Sequence, residues 1–232
     1  MPLSKAIWPS KGGGGRCAPL FVLFVIVVSA HGQNFEITPL VGATFGGTLH
    51  LEQTGTPNYY AHVADAFSFG LAGGYRLDAD DGGHDLVEFR WLRQDSHLTL
   101  PQNPLAVSGP VPTPYTSSYF RPSVTLDRFL ADFSHEFPIQ EAPSIEPFVT
   151  ASLGAALMSL PASSATRFAF GLGAGVKIFP ALHWGFRLEA EYQPIVMHAE
   201  LQRLVCTTGC IVVLNGGIMN QFQLSLGPAF RF

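Results

Sequence analysis

Ser134, His135 and Glu136 stand in a row, the three side-chain types of a nucleophilic triad. That chemistry needs the serine hydroxyl within ~3 Å of the histidine ring. On a strand, successive side chains point to opposite faces. Ser134 and Glu136 would then pair on one face while His135 sits on the other, which argues against catalysis. Glu189 and Glu191 share a face, ~7 Å apart by strand rise. Paired carboxylates can do acid–base work, but they also suit shared cations, here Arg187, Lys177 or Arg128. His62, His97, His183 and His198 have no partners at ligand spacing, so no metal or other cofactor is implied. The chain reads as a non-enzyme.

The elements that must hold these residues are strands. Ile37, Pro39, Val41, Ala43 and Phe45 alternate with Glu36, Thr38, Leu40, Gly42 and Thr44. The same period of two recurs near 67–77, 87–91, 128–137, 149–157, 168–178, 184–193 and 222–232. About eight segments of ~10 residues match the length of tilted membrane-spanning strands. Short turns fall near 78–84, 138–144 and 180–183. Longer loops fall near 47–62, 95–123 and 198–217, with a shorter one near 159–166. In lipid an open sheet edge leaves backbone groups unpaired, so the expected fold is all-β, a closed antiparallel up-and-down barrel of about eight strands.

One face of these segments is apolar and the other carries charge. The charged face holds Arg76, Arg90, Arg128, Lys177, Arg187 and Arg231 against Glu36, Glu88, Asp132, Glu136, Glu189 and Glu191. A lipocalin-like soluble barrel would turn this face outward. Three features turn it inward. The charged face is rich in glycine, which makes room in a crowded interior. Aromatics mark the ends of the apolar face at Tyr75, Trp91, Phe137, Trp184 and Tyr192, as membrane girdles do. The chain also ends on an apolar strand closing with Phe230 and Phe232. Eight strands leave a lumen that side chains fill. The predicted site is a lumen ion-pair network of Glu88, Arg90, Arg128, Asp132, Lys177, Arg187, Glu189 and Glu191.

Residues 1–32 read as a cleavable signal peptide. Lys5, Lys11 and Arg16 precede an apolar run of ~11 residues, too short to span as a helix. Residues 33–232 form the single predicted domain. It is acidic, because the leader holds three of the 13 Lys+Arg and none of the 17 Asp+Glu, so nucleic acid is not an expected partner. Cys206 and Cys210 form an even pair in an exported chain, which predicts a small disulfide across a loop. The proline-rich stretch within 95–123 is a candidate surface for a ligand.

Glu36-Ile-Thr-Pro-Leu-Val-Gly, Ser68-Phe-Gly-Leu-Ala-Gly-Gly-Tyr-Arg-Leu, Phe168-Ala-Phe-Gly-Leu-Gly-Ala-Gly-Val and the terminal Phe resemble the OmpA/OmpX-type outer-membrane β-barrel domain family. The resemblance covers nearly all of 33–232 and implies the bacterial outer membrane as location. It also implies insertion by the barrel-assembly machinery, with Phe230 and Phe232 in the recognition signal. No peptidoglycan-binding domain is expected after Phe232. The expected role is structural or surface-interacting, by a monomer in membrane lipid. A narrow pore for ions or small solutes and a lipid-modifying enzyme are the alternatives.

Overall fold

Alternating apolar and polar side chains give each strand one face for lipid and one for the interior. The computed structural model describes residues 34–52, 59–78, 83–99, 123–160, 163–197, 203–205, 211–214 and 217–232. They form β1 (Phe35–Gly46), β2 (Thr48–Glu52), β3 (Tyr59–Val63), β4 (Ala66–Asp78), β5 (His84–Thr99) and β6 (Ser123–Glu136). There follow β7 (Ile145–Leu160), β8 (Ser163–Ala181), β9 (Trp184–Met197), β10 (Arg203–Val205), β11 (Ile211–Leu214) and β12 (Gly217–Arg231). The predicted leader 1–32, Cys206, Cys210 and residues 100–122 of the predicted loop lie outside the described residues.

Eight strands close a ring in the order β5-β4-β1-β12-β9-β8-β7-β6, and β6 pairs back onto β5. All neighbours are antiparallel. The turns after β4, β6 and β8 lie at the end where Phe35 meets Phe232. By the barrel rule of short inner turns this is the periplasmic end. Outside, the wall exposes Phe67, Phe89, Leu153, Leu172, Leu226 and many like them. Inside, Arg90, Arg128, Lys177 and Glu136 are fully buried. The charged face is therefore the inner one, and the soluble-barrel alternative, with its charge turned to water, does not describe this wall.

The strands run longer than the membrane needs. β5 has 16 residues and β8 has 19. Stretches expected as loops at 47–62 and 198–217 contain β2, β3, β10 and β11. These four strands make a small sheet beyond the outer rim, joined to β5 by His62↔Thr99 and Val63↔Leu98. Residues 95–99, expected to begin a loop, continue β5. A spanning-length prior stops at the membrane; backbone pairing continues wherever a neighbouring strand offers partners.

The seam between the first and last strands has a gap. Phe35 and Phe232 exchange two backbone hydrogen bonds, of 3.2 and 2.9 Å. Hydrogen-bonded pairs recur every second residue in an antiparallel ladder. Counting from Phe35 and Phe232, the next such pairs are Ile37↔Phe230 and then Pro39 opposite Pro228. Neither proline has an N–H to give. Regular seam pairing accordingly breaks between Ile37↔Phe230 and Val41↔Leu226. The outer neighbours do not suffer, since Pro39 pairs with Leu71 and Pro228 with Phe186 in register. Gly227 lets the strands approach here, because a Cβ would strike the Pro39 carbonyl oxygen.

Replacing both prolines (Pro39→Ala with Pro228→Ala) supplies the two missing donors. Amide exchange by NMR in micelles is expected to show the new amides of residues 39 and 228 as protected as those of Val41 and Leu226. Rapid exchange at both would contradict the assigned seam register.

Candidate functional site

The lumen is built in layers, each set by which residues the strand stagger brings to one height. At the periplasmic end Lys177 from β8 meets Glu36 of β1 at 2.5 Å and Glu136 of β6 at 2.7 Å. Arg76 of β4 bridges Glu136 at 2.8 Å and Glu146 of β7 at 3.2 Å. Arg231 of β12 pairs with Glu36 at 3.1 Å and with Glu146. Its guanidinium stacks 3.4 Å from the Phe179 ring centre. Six strands are thus tied across the barrel by three cations.

The middle layer centres on Arg90 of β5. It reaches Asp132 at 2.8 Å, Glu189 at 3.1 Å and Glu191 at 2.8 Å. Arg187 of β9 holds Glu88 at 2.7 Å and Glu189 at 3.1 Å, and lies over the Phe148 ring. Glu191 also accepts from Ser152, and from Gln193 at 2.6 Å. Gly171 makes this packing feasible: a Cβ there would strike Glu191 and Ser152.

Above lies a layer of neutral polar groups around one cation. Arg128 donates to Gln193, and to Thr44 at 3.3 Å. Gln94, Gln221 and Gln223 are buried beside them. The outermost layer is apolar: Val63, Leu98, Leu126, Leu130, Met158, Ile195, Met197 and Met219 are packed together, all buried.

Charges are expensive inside a narrow, water-poor lumen. Removing one partner of a buried pair leaves the other uncompensated, at ~3–5 kcal/mol. Among the described residues seven carboxylates (Glu36, Glu88, Asp132, Glu136, Glu146, Glu189, Glu191) face seven cations (Arg76, Arg90, Arg128, Arg167, Lys177, Arg187, Arg231) across the interior. The formal charges of the two sets balance.

All eight residues of the predicted network lie in the lumen, and Arg187 pairs with Glu189 as expected, but the other partners differ. Glu189 and Glu191 share Arg90, not Lys177 or Arg128. Lys177 sits one layer lower, because the register sets it opposite Arg187 while glycines face Glu189 and Glu191. Ser134 donates to Thr150 at 2.9 Å rather than pairing with Glu136. His135 is on the outer face, 2.7 Å from Asp85 and edge-on to Phe137. A wall of backbone separates it from Ser134, so the two cannot act together. Phe230 and Phe232 face outward, each more than a third exposed.

Sequence reasoning missed Glu146, Arg167 and the apolar layer. The expected lumen was polar throughout. Leu126 and Leu130 carried the signal, since both share the face of Arg128 by period two.

No protein-family model and no curated protein matches this chain. Solved structures do. Outer membrane protein AlkL, determined in lipid bilayers, aligns at TM-score 0.51 and 14% identity, over 99% of this chain and 97% of its own. Outer membrane protein OprG from Pseudomonas aeruginosa aligns at TM-score 0.51 and 12% identity, over 87% of this chain and 96% of its own. At such identity the likeness shows the fold. With the apolar wall and charged interior, the chain has the fold of the small outer-membrane β-barrels.

Arg90→Met strips Asp132, Glu189 and Glu191 of their shared cation. Urea unfolding in micelles is expected to show a loss of ~3–5 kcal/mol. Adding Asp132→Asn and Glu191→Gln to that variant is expected to restore at least half. A loss under 1 kcal/mol from Arg90→Met would contradict the buried network.

Proposed function

We propose that this protein is a structural, surface-interacting component of the bacterial outer membrane, with a plugged lumen. The observation that carries the reading is that the interior is filled along its length. Two ion-paired layers, a neutral polar layer and an apolar layer are stacked across it. A plug of this kind favours contact over transport. Contacts then belong to the outer rim, where β2, β3, β10 and β11 extend the wall beyond the membrane.

The remaining parts of the reading follow the sequence. Residues 1–32 export the chain and are removed. The barrel-assembly machinery inserts it through the strand ending at Phe232. The barrel works as a monomer in lipid, and the segment 95–123 meets a surface ligand. A Cys206–Cys210 bridge would staple the turn between β10 and β11. A lipid-modifying activity draws no support from Ser134 and His135, which lie on opposite sides of the wall.

In planar bilayers the folded protein is expected to be electrically silent at all voltages tested. Stable unitary conductance would instead favour the narrow pore. Deleting 102–117 is expected to leave the barrel folded, by its heat-dependent gel shift, and to abolish binding to surface partners. Unchanged binding would move the interaction away from this segment.

A further inference from the structure

Arg128, like Arg167, has no carboxylate in contact among the described residues, unlike the other inner cations. Arg76, Arg90, Lys177, Arg187 and Arg231 each have at least two carboxylates within reach. Arg128 is fully buried, and its contacts are neutral: the Gln193 amide oxygen and the Thr44 hydroxyl. Its Nε has no hydrogen-bond partner among the described residues. Glu191 makes no hydrogen bond or ion-pair contact with it among the described residues, attracts it only from a distance, and is already shared with Arg90 and Ser152. A buried cation with no carboxylate in direct contact is costly.

The groups around it are unusual as well. The register sets Gln223 opposite Thr44 and Gln221 opposite Gln193, so both flank the two contacts of Arg128. Gln223 is 1% exposed, and neither its amide nitrogen nor its amide oxygen has a partner among the described residues. Gln94 Nε2 and Gln221 Oε1 are unpartnered too, although Gln221 reaches Gln94 at 3.5 Å. Buried polar groups are nearly always satisfied. Here several spare N–H donors and a guanidinium with no carboxylate in contact occupy one layer.

We propose that this layer is a binding site for a small monovalent inorganic anion of chloride size. The Arg128 guanidinium supplies the charge, and the amide nitrogens of Gln223 and Gln94 supply neutral donors. Size follows from the surroundings. Leu126 and Leu130 flank Arg128 on its own face, and Ile195 and Met219 lie one inward position above Gln193 and Gln221. All four are buried in the apolar layer, so a bulky organic anion would have to displace it. From below, the carboxylates of Glu189 and Glu191 repel an anion, which confines it to the height of Arg128. Arg167 on β8 lies two strands from Arg128, through Ala156, and adds positive potential at this height.

The test uses the folded full-length mature chain in micelles and sodium chloride or bromide as probe. Urea midpoints are compared at constant ionic strength, with isethionate replacing the halide. A saturable rise of the midpoint with halide is expected. Arg128→Gln is expected to lose that rise, and Arg93→Gln, on the exposed outer face, to keep it. Equal midpoints in halide and isethionate, or a halide-dependent rise that survives Arg128→Gln, would overturn the site. A crystal soaked in bromide is expected to show an anomalous peak at hydrogen-bonding distance from the Arg128 guanidinium. A map with only water there would overturn the site independently of any variant.

Discussion

A peptide N–H facing hydrocarbon without a partner costs several kcal/mol, and the rest of this molecule follows from that penalty. It forbids a sheet edge within the membrane, so β12 must meet β1. It makes Phe232 a structural residue, since its backbone closes the first rung with Phe35. It also explains why the paired prolines oppose each other. A single proline in the seam would leave a lone donor facing it; two opposed prolines remove both donors of one rung. The wall keeps its neighbours paired and gives up one rung locally.

Closure with eight strands fixes the width of the interior, and the width fixes its chemistry. A wide barrel would hydrate charged side chains. A narrow one makes them neutralise each other, as the balanced set from Glu36 to Arg231 does. Such networks are seldom the most stable filling, because well-packed apolar residues can match or exceed them. What they add here is directional cross-linking: Lys177 joins β8 to β1 and β6, and Arg90 joins β5 to β6 and β9. The apolar layer near the outer rim does the complementary task. It packs without geometric demands under the small sheet and separates the charged layers from the outer surface.

Period two made the wall legible from the sequence. Alternation placed Arg90 and Glu189 on one face and Phe89 and Leu188 on the other, and an apolar terminal strand pointed to closure. Alternation is silent about height. Which carboxylate meets Arg90 depends on stagger between strands far apart in sequence, so Lys177 was matched to the wrong layer. Glu146 was missed because Pro147 interrupts the pattern and the strand was started after it. Arg167 was missed because the run of Phe168, Phe170 and Leu172 set the apparent beginning of β8. The outer strands were read as loops because, although β11 is the apolar run Ile211–Leu214 and β2 alternates at Leu49 and Leu51, each is far shorter than a spanning strand. That no carboxylate among the described residues contacts Arg128 is a fact of three dimensions only.

The central claim is that the apolar face meets lipid and the charged face fills the interior. Trp91 and Trp184 are built-in reporters, being the two tryptophans of the barrel, and both lie on the outer face. The most direct measurement is their fluorescence in vesicles of phospholipid with brominated acyl chains, compared with quenching by aqueous acrylamide. Strong quenching by the brominated lipid and little by acrylamide is the expected result. Strong quenching by acrylamide with none from the brominated chains would contradict the orientation of the whole wall.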